Sequence, residues 1–220
     1  MELPFSGLAL EAKFAGIPFS DAPLGQFAPS ALQRAIIQTS RAVGFGKGFA
    51  RNIATLAAMN LRAAPIDYDY HGLTLRFYPA PYASARHMLM TPHWSESRER
   101  SFLLEHLPAD GVFLDMGCNA GFYLFYAAAM RPLARIIGFE PVPQHFGVID
   151  YNIRANHLAS TSVLNIALSD KEGEATFHTG GESIVSGSGD TFTVRTRPLL
   201  DVVREQNLDR IDCVKIDVEG

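Results

Sequence analysis

Between Val112 and Met130 every residue is apolar except Asp115, Gly117, Asn119 and Gly121. A membrane span needs roughly 20 consecutive apolar residues with few polar interruptions, so this run reads instead as a buried strand, a tight turn and a helix. Gly117 lets the turn bend and lets a ligand approach the backbone, and Gly121 lets the helix start close to the strand. The first turn of that helix offers N–H groups without intrahelical partners. In an open α/β sheet such a turn lies beyond the carboxyl end of a strand, where ligands bind. The spacing is D-x-G-x-N-x-G, from Asp115 to Gly121. A dinucleotide-binding turn carries G-x-G-x-x-G and welcomes a pyrophosphate. A carboxylate at Asp115 repels pyrophosphate and orders a ligand that carries an ammonium group.

The alternation continues after this unit. Strands are expected at Val112–Met116, Arg135–Phe139 and Ser162–Ile166, with weaker ones at Ala175–His178 and Thr191–Thr196 around a Gly/Ser loop, Gly180–Gly189. The last strand is expected at Cys213–Asp217, and the whole pattern signals a parallel α/β sheet. Glu140 follows the second strand, where an acidic side chain accepts hydrogen bonds from both ribose hydroxyls of a nucleoside. NAD enzymes and methyltransferases share that feature. Asn165 and Ala167 lie at the end of the third strand, within reach of an adenine. Asp217 and Glu219 sit at the carboxyl end of the last strand, which belongs beside the first. Blander readings stand next to these. Asp115 and Glu140 can serve as helix caps, Asn165 as part of a polar turn, and Lys215, Asp217 and Glu219 as one strand face with charges paired locally.

The first third of the chain is patterned differently. Residues 1–29 read as an irregular arm, Ser30–Val43 and Phe49–Leu61 as helices, and Ile66–Phe77 as a β-hairpin turning at His71-Gly72. Thr91-Pro92 reads as an N-cap and first helical position of a helix running to Leu107. The chain therefore divides into an N-terminal helical and hairpin region, residues 1–85, and a nucleotide-binding domain, residues 86–220. The N-terminal region is a candidate surface for homo-oligomerisation. At 47% hydrophobic and 19% charged residues the chain can bury a core, which excludes a largely disordered protein. A net charge of -4 without a basic stripe argues against a nucleic-acid partner. Two cysteines make no disulfide framework; with no signal peptide at the N-terminus and no membrane span, a cytoplasmic location is expected. The histidines show no metal-ligand spacing, so no metal is expected. Cys118 reads as a small packed side chain.

Five segments, in order, carry a resemblance. FLDMGCNAGFY (113–123), GFEPVP (138–143), NIALSD (165–170), VRTRPLLD (194–201) and IDCVKIDVEG (211–220) resemble the motifs of the FkbM methyltransferases. The resemblance covers about Trp94 to Gly220, while residues 1–80 match no motif. It implies a Rossmann-like sheet, S-adenosyl-L-methionine as cofactor, and O-methylation of a hydroxyl on a sugar, glycolipid or polyketide-type acceptor. The residues at cofactor-binding positions are Asp115, Gly117, Asn119, Gly121, Glu140, Asn165, Ala167 and Asp217. Asp217 and Glu219 are the catalytic candidates. Glu96, after Trp94, stands where the family has an aromatic-plus-acid element, although a solvated carboxylate favoured by the helix dipole explains it as well. The family pattern continues past Gly220 with a further helix and strands. A chain stopping there is expected to leave its last strand as an open edge, to bind cofactor weakly and to turn over poorly. Two other readings remain: an NAD-dependent oxidoreductase, which lacks its G-x-G-x-x-G here, and a non-catalytic interaction module, against which the intact Asp115, Gly117, Gly121 and Glu140 argue.

Overall fold

The computed structural model describes residues 13–14, 17–43, 57–58, 65–79, 83–93, 96–180, 183–184 and 191–218. Short strands β1 (Lys13–Phe14) and β2 (Ile17–Pro18) pair with each other, and helix α1 (Ala31–Val43) follows. The hairpin is β3 (Ile66–Tyr70) and β4 (Leu73–Phe77), with His71 and Gly72 at φ 52° and 92° in its turn. Helices α2 (Ala83–Met90) and α3 (Ser97–His106) lead into β5 (Val112–Met116), α4 (Phe122–Met130), β6 (Arg135–Phe139), α5 (Pro143–Ala155) and β7 (Thr161–Leu164). Then come β8 (Ala167–Leu168), β9 (Gly173–Gly180), β10 (Ser183–Ile184), β11 (Thr191–Arg197), α6 (Leu199–Glu205) and β12 (Cys213–Ile216). Of the expected helix Phe49–Leu61, only Ala57 and Ala58 are described, and both are helical; most of the Gly180–Gly189 loop and Glu219 lie outside the described residues. Among the described residues no helix is long and apolar enough to cross a membrane.

Four strands form a wholly parallel sheet in the order β12-β5-β6-β7. The chain steps outward from β5 to β7 and then returns to the other side of β5. That reversal is a topological switch point, and it opens a crevice at the carboxyl ends of β5 and β12. Alternation along the strands sorts two cores. Phe113 and Ile136 face α3, α4, α5 and the N-terminal region, whereas Val112, Leu114, Met116, Ile137 and Phe139 face α6 through Val202. Helices on both faces make a three-layer Rossmann-like α/β fold. A second sheet, β10-β9-β11-β8, stands apart, with β9 and β11 antiparallel.

Two expectations about element boundaries change. Thr91 does not cap a following helix: it closes α2, its N–H donating to the His87 carbonyl at 3.0 Å. Pro92 disfavours the helical conformation in the residue before it and brings no N–H, so the helix stops there. The third strand ends at Leu164 rather than Ile166 because Asn165 turns its amide back onto the Glu140 and Pro141 carbonyls, at 2.8 and 3.0 Å. Ala167 consequently pairs with Thr196 in the second sheet.

The N-terminal region is held by buried polar groups. Arg76, 1% exposed, meets Asp67 through Nε at 2.8 Å and Nη2 at 2.9 Å. Its remaining donors reach the carbonyls of Ser20, Ala22 and Pro23, and its guanidinium lies 4.6 Å from the ring centroids of both Phe27 and Tyr151. Asp67 also accepts the N–H groups of Gly25 and Phe27. A planar five-donor fork so completely matched fixes the arm 20–27 against the hairpin. On the other edge, Asn152 of α5 and Asn156, the residue that caps its C-terminus one turn on, pair with the main chain of β4. The Asn152 amide accepts Arg76 N–H at 2.7 Å and donates to its carbonyl at 3.2 Å; Asn156 does the same for Thr74 at 3.1 and 2.8 Å. The two amides thus finish an edge that would otherwise be unpaired. Asn152→Ala leaves a buried N–H and C=O without partners, and it is expected to cost about 1–3 kcal/mol in urea denaturation. Asn156→Ala, on the exposed part of the seam, is expected to cost less, and equal losses would contradict this account of the seam.

Candidate functional site

The turn after β5 is built around backbone positions that suit glycine. Gly117 and Gly121 have φ 76° and 82°, and Asn119 has φ 48°. The N–H groups of Gly117 and Cys118 both donate to the Phe139 carbonyl, at 3.0 and 3.1 Å, which ties the turn to the end of β6. A Cβ on Gly117 would lie 2.1 Å from the Asp217 carbonyl oxygen, and one on Gly121 would lie 2.6 Å from the Phe125 ring. Gly117 was expected to admit a ligand. In this structure its bareness also admits the main chain leaving β12, which brings Asp217 beside the turn.

Asp115 is fully buried. Among the described residues neither of its carboxylate oxygens receives a hydrogen bond of ordinary geometry; the Lys215 ammonium lies 3.4 Å from Oδ1, and the Leu124 N–H in the first turn of α4 also favours the carboxylate. Burial pushes the Asp115 carboxyl up to about 6, with Lys215 pulling it the other way. Lys215 Nζ donates to the Gly117 carbonyl at 2.7 Å, lies 3.6 Å from Asp217 Oδ2, and sits 5.8 Å from the Tyr123 ring centroid. The local pairing of Lys215 with Asp217 considered from the sequence is present, and the Asp217 side chain is 81% exposed.

Glu140, 3% exposed, closes the other side of the turn. It accepts the Asn119 N–H at 2.6 Å and the Val142 N–H at 2.9 Å, one on each oxygen, and the His145 ring lies 3.6 Å away. Each oxygen keeps a second lone pair for an outside donor. Among the described residues the Asn119 side-chain oxygen, which is buried, has no hydrogen-bond partner. Asn165 reaches this corner only by fixing the Glu140 and Pro141 carbonyls, while Ala167 has moved to the second sheet. The Cys118 thiol is buried and pushed well above its usual range by that burial, so it is packed and protonated rather than nucleophilic.

Two side chains escaped the sequence reading. Tyr123, two residues past Gly121, donates its hydroxyl to Glu96, and burial and that carboxylate both raise it. Glu96 itself is exposed, with φ 49°, at the start of α3. Lys215 was noticed as part of a strand face, but not as the counter-ion of Asp115. A cavity of about 630 Å3 lies between α3 and β12, lined by Phe102, Leu103, Phe113 and Val214 and reaching the turn at Tyr123 and Lys215.

Residues 115–220 match the model of the Methyltransferase FkbM domain. This stretch of the chain, from the carboxylate of β5 onward, is similar to the FkbM methyltransferases, a family that uses S-adenosylmethionine as methyl donor. The chain is 28% identical over 154 residues to the methyltransferase sdnD of Sordaria araneosa, covering 53% of this chain and 60% of that protein. It is 29% identical over 133 residues to the 2-O-methyltransferase NoeI of Sinorhizobium fredii, covering 50% of this chain and 54% of that one. The chain thus spans little more than half the length of these two relatives. A solved putative transferase from Pyrococcus horikoshii superposes on 47% of this chain and 36% of its own at TM-score 0.38 and 19% identity.

Proposed function

We propose that the crevice between β5 and β12 binds S-adenosylmethionine and that the protein transfers its methyl group to a hydroxyl oxygen of a sugar, glycolipid or polyketide-type acceptor. The observation that carries this reading is the pairing of two buried carboxylates across one glycine turn. Asp115 has no hydrogen bond of ordinary geometry among the described residues, with the Lys215 ammonium close by, and Glu140 has spare lone pairs. This acceptor-rich set fits a ligand with an ammonium at one end and vicinal hydroxyls at the other. It does not fit a pyrophosphate, which needs donors. When bound, the cofactor supplies a methyl group on a positively charged sulfur.

The chain's own part is positioning and proton handling. Asp115 and the Gly117 carbonyl hold the ammonium end, and Asn119 and Gly121 shape the turn. Glu140 takes the ribose hydroxyls, kept in place by Asn119, Val142 and Asn165. Asp217, whose side chain is exposed beside the turn, is the carboxylate we assign to take the acceptor's proton, and Glu219, two residues on in the sequence and outside the described residues, is the second candidate. The name of NoeI, a 2-O-methyltransferase, supports an oxygen acceptor.

Calorimetric titration with S-adenosylhomocysteine and with NADH tests the cofactor. Saturable S-adenosylhomocysteine binding is expected, weakened about 10- to 100-fold in folded Glu140→Ala through loss of hydrogen bonds to a charged acceptor. Binding of NADH alone would overturn the reading in favour of an oxidoreductase. With S-adenosylhomocysteine binding established, an acceptor screen with labelled donor tests the oxygen specificity.

A further inference from the structure

The Lys215 ammonium occupies a seat that its surroundings define as one for an amino group. Three acceptors converge there: the Gly117 carbonyl at 2.7 Å, Asp115 Oδ1 at 3.4 Å and Asp217 Oδ2 at 3.6 Å. Two carboxylates and one ammonium leave the cluster one negative charge in excess, and Glu140 stands close enough to act on Asp115. An ammonium has three donors and seeks several oxygen acceptors at once, and the turn supplies them at the point where a ligand would enter. The Lys215 side chain is 20% exposed, so its head lies at the rim of the crevice rather than in the core.

We infer that Lys215 is a tethered stand-in for the cofactor's α-ammonium: it fills the Asp115–Gly117 seat in the ligand-free protein and is displaced when the cofactor's own amino group arrives. The inference rests on the reading of this turn as the S-adenosylmethionine site. Its logic is electrostatic. A buried carboxylate without a cation is costly, so a protein that must bind and release a cationic ligand gains from an internal cation that keeps the site formed between turnovers. The displaced Lys215 stays on the strand with Asp217, and that carboxylate can retain it as Asp115 passes to the ligand. Lys215 is a positioning residue, since it acts on the methyl transfer only through the seat it holds and yields.

Displacement has a readout that does not depend on turnover. Lysine acylation with an N-hydroxysuccinimide ester, mapped by peptide mass spectrometry, reports how free each ammonium is. Saturating S-adenosylhomocysteine is expected to raise Lys215 acylation severalfold. 5′-Methylthioadenosine, which lacks the amino-acid end, is expected to leave it as it was. In parallel, Lys215→Met at pH 8.5, an alkaline pH chosen to offset the upward push that loss of Lys215 gives Asp115, is expected to bind S-adenosylhomocysteine about tenfold more tightly, because an intramolecular competitor has gone. If S-adenosylhomocysteine binds but Lys215 acylation falls or stays level, the inference is overturned and the cofactor reading stands. If 5′-methylthioadenosine frees Lys215 equally, the amino group is not the displacing group and the inference also falls. If neither the parent chain nor Lys215→Met binds S-adenosylhomocysteine, the cofactor reading fails and takes this inference with it.

Discussion

Arg76→Met is expected to lower the unfolding free energy by about 3–5 kcal/mol, the usual cost of stripping one partner from a buried ion pair. For a chain of this size that is a fall in Tm of about 10 °C, read by circular dichroism on heating. The loss has two sources. Asp67 is left as a buried charge without its counter-ion, and the carbonyls of Ser20, Ala22 and Pro23 lose the donors that hold the arm to the hairpin. Methionine keeps much of the contact with the Phe27 and Tyr151 rings, so the experiment isolates the polar part. Adding Asp67→Leu is expected to restore part of the loss, because removing both charges removes the desolvation penalty. A single variant within about 1 kcal/mol of the parent would show that the pair is not what fastens the arm.

Gly117→Ala is expected to abolish measurable S-adenosylhomocysteine binding and to destabilise the fold by more than the about 1–3 kcal/mol of an unfavourable backbone conformation. Its φ of 76° is one cost; the 2.1 Å approach of the Asp217 carbonyl is another, and main chain cannot rotate away as a side chain can. Gly72→Ala serves as the comparison. It has φ 92° in the hairpin turn but nothing among the described residues within 4 Å of the added carbon, so it reports conformational strain. The difference between the two variants, measured by urea denaturation, is the cost of forcing β12 away from the turn. Equal losses would mean that the contact with Asp217 is relieved by a small shift, and the crevice would be expected to stay intact.

The sheet was legible because its strands are local events. Val112–Met116 and Arg135–Phe139 are apolar runs bounded by turn residues, and the structure places β5 and β6 on those residues. The dipole-rich turn was legible for the same reason: Asp115, Gly117, Asn119 and Gly121 lie within seven consecutive residues. What could not be read is whatever depends on distant pairing. Lys215 meets Asp115 one hundred residues away, and nothing in either neighbourhood announces the other. Asn152 and Asn156 look like ordinary polar residues of a helix until β4 is laid against them. Helix α2 was missed because it is short and weakly patterned, and Thr91, at its end, has the side chain of a helix start. Tertiary contacts decide such elements, and local propensity does not.

The asparagine seam has a consequence for how such a protein can change. Asn152 and Asn156 grip the main chain of β4 rather than its side chains, so the docking accepts any residue but proline at position 74. Tyr151 and His145 lie on the same helix, one touching the arm through Ala22 and the other beside Glu140. The outward-facing side chains of the hairpin can therefore drift in sequence while the helix beneath Glu140 keeps its grip on the main chain of β4. A clasp that ignores side chains lets one side of α5 be rewritten without disturbing Glu140 on the other.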